Sequence, residues 1–105
     1  MGKLVRDKIP EIIRKDGKIP IIRVMEEEEY LQELDQKLNE EVAEYQADKS
    51  LEEMADVLEV LFAICEARGH SVEELLALKK AKAEKRGGFQ DRLFWEGNKD
   101  ATDAT

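Results

Sequence analysis

A chain of 105 residues has room for one modest core, so any larger buried surface has to come from self-association. Its 25 acidic against 17 basic residues leave a net charge of -8, which argues against nucleic-acid backbone and anionic membrane as partners and is offset by a bound cation. The single cysteine excludes an intrachain disulfide, MGKLVRDKIPEII lacks the apolar run of a signal peptide, and no stretch nears the roughly 18 apolar residues of a membrane span; a cytoplasmic location is expected.

The first element predicted is a short helix in LVRDKIPEIIRKDGK, with Asp7 as N-cap, Pro10 in its first turn, Gly17 beyond its end, and Ile9, Ile12 and Ile13 on its apolar side. IIRVM, rich in β-branched residues and too short for a helix, predicts a strand. From Glu26 the period becomes helical, with Leu31, Leu34, Leu38, Val42 and Tyr45 spaced by three or four residues. Ser50 then opens a second long helix with the capping box SLEE, and that helix runs to Arg68 with Gly69 as its left-handed stop. Ser71 opens a third helix with SVEE, which turns basic as KKAKAEKR and ends at Gly87 and Gly88. FQDRLFW suits a second short strand able to pair with IIRVM, Phe94 and Trp95 read as packing residues, and the residues from 97 to 105 read as a frayed tail. The expected whole is a mainly α unit over residues 1–96, built on a helical hairpin that turns near residues 46 to 50, with an optional two-stranded β element.

The hairpin collects carboxylates in EEVAEYQADKSLEEMAD, residues 40 to 56. At roughly 100° per residue, the apolar stripe of the first long helix centres near Leu38, with Glu41 about 60° to one side, Glu44 about 60° further round, and Glu40 pointing to solvent. Glu41 and Glu44 are thus an i, i+3 pair able to converge on one point. On the second helix Leu51, Met54, Leu58, Leu61, Phe62 and Cys65 form one apolar face, while Glu53, Asp56, Val60, Ala63 and Ala67 form a strip on nearly the opposite side. That strip ends apolar, so something covers it, and Glu53 and Asp56 sit at the mouth of the covered groove. A helix apolar on so much of its circumference points to a homodimer or homotetramer.

Four acids drawn together repel one another without a cation. Oxygen-only ligands suit Mg²⁺ or Mn²⁺, ions commonly completed by water and substrate phosphates, and the absence of His or Cys beside them argues against zinc. Two plainer explanations compete. Acids favour first helical turns through the helix dipole, which accounts for Glu52 and Glu53 without metal, and a chain with 40% charged residues has many acidic surfaces. The basic end of the third helix, Lys79, Lys80, Lys82, Lys85 and Arg86, is likewise what a helix C-terminus favours.

EEVAE followed after a short loop by EEMAD resembles the paired E-x-x-E and E-x-x-D signature of the all-α nucleotide pyrophosphohydrolases, which include MazG-like proteins, dimeric dUTPases and phosphoribosyl-ATP pyrophosphohydrolase. KLVRDKIPEII and KAEKRGGFQDRL are similar to the flanks of a small branch described as phosphoribosyl-ATP pyrophosphohydrolase-like or house-cleaning NTP pyrophosphatase. The resemblance covers roughly residues 3 to 93. It implies a helical bundle completed by oligomerisation, metal ligands at Glu41, Glu44, Glu53 and Asp56, and hydrolysis of a nucleoside triphosphate to monophosphate and pyrophosphate.

The implied mechanism is metal-assisted, with Mg²⁺ on the phosphates and a carboxylate, Glu41 from its edge position, acting on the attacking water. Arg6, Lys8, Lys79, Lys82 and Arg86 are the expected phosphate contacts. Only Tyr45 to Glu52 separate the acidic pairs, so the hairpin lacks a long substrate-covering insertion. Phosphoribosyl-ATP remains an alternative substrate, and a helical oligomeric interaction module without catalysis is the alternative from another class.

Overall fold

The computed structural model describes residues 2–103, which form four α-helices, α1 (Ile9–Lys15), α2 (Glu27–Asp48), α3 (Leu51–Ala67) and α4 (Val72–Arg86), and a 3-10 turn at Ala101–Asp103. The expected frayed tail thus contains a turn, and its last two residues lie outside the described range. The chain divides into a first unit extending to Leu75 and a second from Leu76 onward.

In the first unit α2 packs on α3 as a hairpin closed by Lys49 and Ser50 alone. Lys49 adopts the left-handed conformation at φ 59° and its amide donates to the Tyr45 carbonyl at 2.7 Å, which stops α2. The Ser50 hydroxyl then accepts from the Glu53 amide at 3.2 Å and starts α3. Glu53 does not complete the box by reaching back to the Ser50 amide, because its side chain is drawn into the carboxylate group described below. At the other end Gly69, at φ 90°, donates to Glu66 and His70 donates to Cys65, the paired bonds of a Schellman stop. The second capping box is complete: the Ser71 hydroxyl accepts from the Glu74 amide at 3.1 Å and Glu74 Oε1 accepts from the Ser71 amide at 2.9 Å. α1 begins one residue later than Asp7 predicts, with Lys8 in the cap position and Pro10 in the first turn.

The core is small. Leu34 on α2 is 3% exposed and Val60 on α3 is 9% exposed. Of the predicted α2 stripe, Leu31, Leu38 and Tyr45 are half-buried beside the buried Leu34, whereas Val42 is exposed. On α3 the inward strip is the one carrying Glu53, Asp56, Val60 and Ala63, whereas Leu51, Met54, Leu58 and Leu61 are exposed on the outside. The short turn fixes the rotation of α3, so the helix meets α2 through its small and acidic residues and leaves its leucines uncovered. Arg68 reaches back to Asp35 at 3.2 Å and pins the far end of the hairpin.

Neither expected strand forms among the described residues. IIRVM has no regular secondary structure, with Ile21 100% exposed and Val24 95% exposed. A strand needs a partner to satisfy its amides and a face to bury, and neither unit supplies a second strand. In the second unit Gly87 closes α4 at φ 83°, and FQDRLFW forms a bend and turn with Phe89, Leu93, Phe94 and Trp95 exposed. Trp95, expected to pack, instead donates from Nε1 to Gly97 O at 3.1 Å and Asn98 Oδ1 at 3.0 Å. No helix among the described residues is long and apolar enough to cross a membrane.

Candidate metal centre

A two-residue turn puts residues equally far from it on α2 and α3 at the same height. Glu41 lies eight residues before Lys49 and Asp56 six after Ser50, which at about 1.5 Å per residue puts them about 12 and 9 Å from the turn, within one helical turn of the same height. Carboxylate oxygens of Glu41, Glu53 and Asp56 lie within 4.8 Å of one another. Glu41 is 8% exposed, which corrects its expected edge position: it is nearly enclosed between the helices. Glu53 and Asp56 are half-buried.

Glu41 Oε2 and Glu53 Oε2 are buried without any hydrogen-bond partner. Oxygens so isolated normally find a donor, and the cost of leaving one bare is on the order of 1–3 kcal/mol. The protonation behaviour matches. Burial, then the neighbouring Glu44 charge, pushes the Glu41 carboxyl upward, opposed in part by Lys37. Burial and then Glu44, Asp56, Asp48 and Glu41 push Glu53 in the same direction. A cation at this point supplies what both oxygens lack, and an all-carboxylate donor set suits a hard ion such as Mg²⁺ or Mn²⁺.

Glu44, expected as a fourth ligand, is exposed and stands outside the triple, although its charge is felt by both Glu41 and Glu53. Glu40 is exposed as expected. Arg6 donates from Nη2 to Asp56 Oδ1 at 2.7 Å, which brings the segment before α1 against the hairpin. Beside this contact is a cleft of about 370 Å³ bordered by Arg6, Lys8, Lys37, Glu41 and Asp56, with Tyr30 among its apolar members. A larger hollow of about 460 Å³ shares Arg6 but has none of the three clustered acids in its wall. Lys79, Lys82 and Arg86 belong to the second unit, exposed along α4.

Sequence reasoning missed Lys37. Its Nζ lies 3.6 Å from Glu41 Oε1 and 3.7 Å from Glu40 Oε2, and the residue is half-buried. The signal was present, since Lys37 and Glu41 are an i, i+4 pair on one helix face. Asp48, one helical turn beyond Glu44, counts among the hairpin's acids in the sequence but was given no role there; its charge acts on Glu53.

No family model matches the chain, and no solved structure matches it. An uncharacterized protein of Mycolicibacterium smegmatis is similar to it, 55% identical over 47 residues. The matched stretch is 45% of this chain and 48% of the relative, so the likeness spans about half the length of the curated protein.

Proposed function

We propose that the chain is a divalent-metal-dependent nucleotide pyrophosphohydrolase, converting a nucleoside triphosphate and water to the monophosphate and pyrophosphate, with removal of unwanted nucleotides in the cytoplasm as its role. The observation that carries this reading is the convergence of Glu41, Glu53 and Asp56 within 4.8 Å, with two buried carboxylate oxygens left unpartnered, beside a cleft that also presents cations. The resemblance of EEVAE and EEMAD to the pyrophosphohydrolase signature supplies the reaction class.

In this reading Glu41, Glu53 and Asp56 hold Mg²⁺ or Mn²⁺, with Glu44 close by. The bound ion supplies charge neutralisation at the phosphates and polarises the bond to be broken. Arg6 and Lys8, on the cleft wall, hold phosphate oxygens, and Arg6 can do so through two parallel N–H donors. Glu41, the most enclosed of the three acids, is assigned the proton of the attacking water. Tyr30 on the same wall offers a ring against the nucleoside.

The proposed assembly is a homodimer or homotetramer, supported by the uncovered Leu51, Met54, Leu58 and Leu61 face of α3. That face also favours the second reading, an oligomeric interaction module in which the acids have no catalytic part. Phosphoribosyl-ATP pyrophosphohydrolase activity differs from the leading reading in substrate alone.

The deciding experiment is pyrophosphate release from ribo- and deoxyribonucleoside triphosphates, modified forms and phosphoribosyl-ATP, with and without Mg²⁺, for the wild type and Glu53→Gln. Metal-dependent release lost in the variant is the expected result and identifies the substrate. Absence of release from every substrate by a folded protein sinks the enzymatic reading in favour of the interaction module.

A further inference from the structure

Two of the three clustered acids already carry a cation. Arg6 Nη2 lies 2.7 Å from Asp56 Oδ1, and Lys37 Nζ lies 3.6 Å from Glu41 Oε1. Both cations also border the 370 Å³ cleft. The two differ in exposure: the Lys37 side chain on α2 is 23% exposed, whereas that of Arg6, on the irregular segment before α1, is 59% exposed. Glu41 is 8% exposed as a residue and its side chain 11%, and its Oε2 has no hydrogen-bond partner.

An exposed ion pair of this kind is weakly held, and a divalent ion entering the cluster competes directly for Asp56. Arg6 cannot shed its charge on being displaced, because a guanidinium stays protonated at any physiological pH. Released and 59% exposed, it is free to pair with another anion, and the volume within its reach is the cleft that it borders. Planar and forked, the group suits a phosphate oxygen pair better than a single carboxylate oxygen.

We propose that Arg6 is an exchangeable counter-ion: it neutralises Asp56 in the metal-free protein, and metal at the carboxylates releases it to hold a phosphate-bearing ligand in the cleft. This rests on the metal reading given above and adds to it a coupling between the two ligands. Metal raises the affinity for phosphate, and by linkage phosphate raises the affinity for metal by the same factor. Removing Arg6 then has two effects of opposite sign. Metal alone binds more tightly because its competitor at Asp56 is gone, and the help from phosphate disappears because its receiver is gone. A merely structural arginine produces neither.

The test is calorimetric titration of the full chain with Mn²⁺, with and without inorganic phosphate, for the wild type, Arg6→Gln, Arg6→Lys and Asp56→Asn, each checked by circular dichroism for retained helix. Phosphate sequesters free Mn²⁺ and so weakens apparent binding in the absence of coupling; a gain cannot come from that source. In the wild type phosphate is expected to tighten Mn²⁺ binding about fivefold or more. Arg6→Gln is expected to bind Mn²⁺ alone more tightly than the wild type and to show no gain from phosphate. Arg6→Lys keeps part of the gain, and Asp56→Asn loses the tight Mn²⁺ site. An Arg6→Gln protein with wild-type Mn²⁺ affinity and the full phosphate gain overturns the exchange and leaves the metal site standing. A folded wild type that takes up no Mn²⁺ overturns both.

Discussion

Arg6 and Asp56 stand fifty residues apart in the chain and meet with Nη2 2.7 Å from Oδ1. Through this contact the segment before α1 becomes one wall of a cleft whose other wall is the hairpin. Both side chains remain well exposed, at 59% and 40%, so water and salt screen the pair. Arg6→Gln is therefore expected to cost less than about 1 kcal/mol of stability. Urea unfolding at low and high salt measures it, and a loss several times larger contradicts an exposed, displaceable pair.

Glu41→Gln tests the unpartnered oxygens more directly. In the metal-free protein the substitution replaces one carboxylate of a repelling group by an amide whose N–H can donate to Glu53 or Asp56. A gain of about 1 kcal/mol is expected, read as a higher urea midpoint in the presence of a chelator. With Mg²⁺ present the order reverses, since the wild type gains by ligand linkage and the variant does not. A variant less stable than the wild type in both conditions shows that the Lys37 contact to Glu41 outweighs the relief of repulsion.

The pH dependence follows from the same group. Glu41 and Glu53 are shifted above the ordinary 4.5, first by burial and then by Glu44, so the folded state binds protons that the unfolded chain releases. Their protonation stabilises the fold below that value, and the contribution is lost as pH rises through the raised folded values. Glu29, hydrogen-bonded to Arg23, and Glu74, hydrogen-bonded to Ser71, are shifted downward; their contribution is lost only as pH falls below 4.5. The metal-free protein is expected to lose stability as pH rises from 4.5 through the raised values, with saturating Mg²⁺ reducing the loss. Chemical denaturation across that range checks it, and a metal-free midpoint that climbs steadily with pH contradicts the clustering.

Most of the helical frame was legible because its signals are local. Ser50, Ser71 and Gly69 act on the amides next to them, and the Leu31, Leu34, Leu38 period sets one face of α2 whatever surrounds it. The acids were legible through spacing, though only three of the four converge. The rotation of α3 was harder to read, because two apolar strips compete on that helix and the choice is made by the turn at Lys49 and Ser50. IIRVM and FQDRLFW failed as strands for a related reason: β-propensity describes fitness for a sheet, and a sheet is a long-range property. Arg6 on Asp56 is equally non-local, and nothing in either residue's neighbourhood announces the other.

That choice of face sets up the last prediction, a contrast between Leu34 and Leu58. Leu34 is 3% exposed between α2 and α3, so Leu34→Ala is expected to cost about 2–5 kcal/mol and leave little fold in so small a core. Leu58 is 48% exposed on the outer face and its truncation removes few contacts of the hairpin itself. If the outer face joins copies of the chain, Leu58→Lys should lower the sedimentation coefficient and abolish any rise of melting temperature with protein concentration. If Leu58→Lys instead leaves sedimentation unchanged while Leu34→Ala unfolds the chain, the exposed leucines do not mediate self-association, and the proposed dimer or tetramer must use another surface.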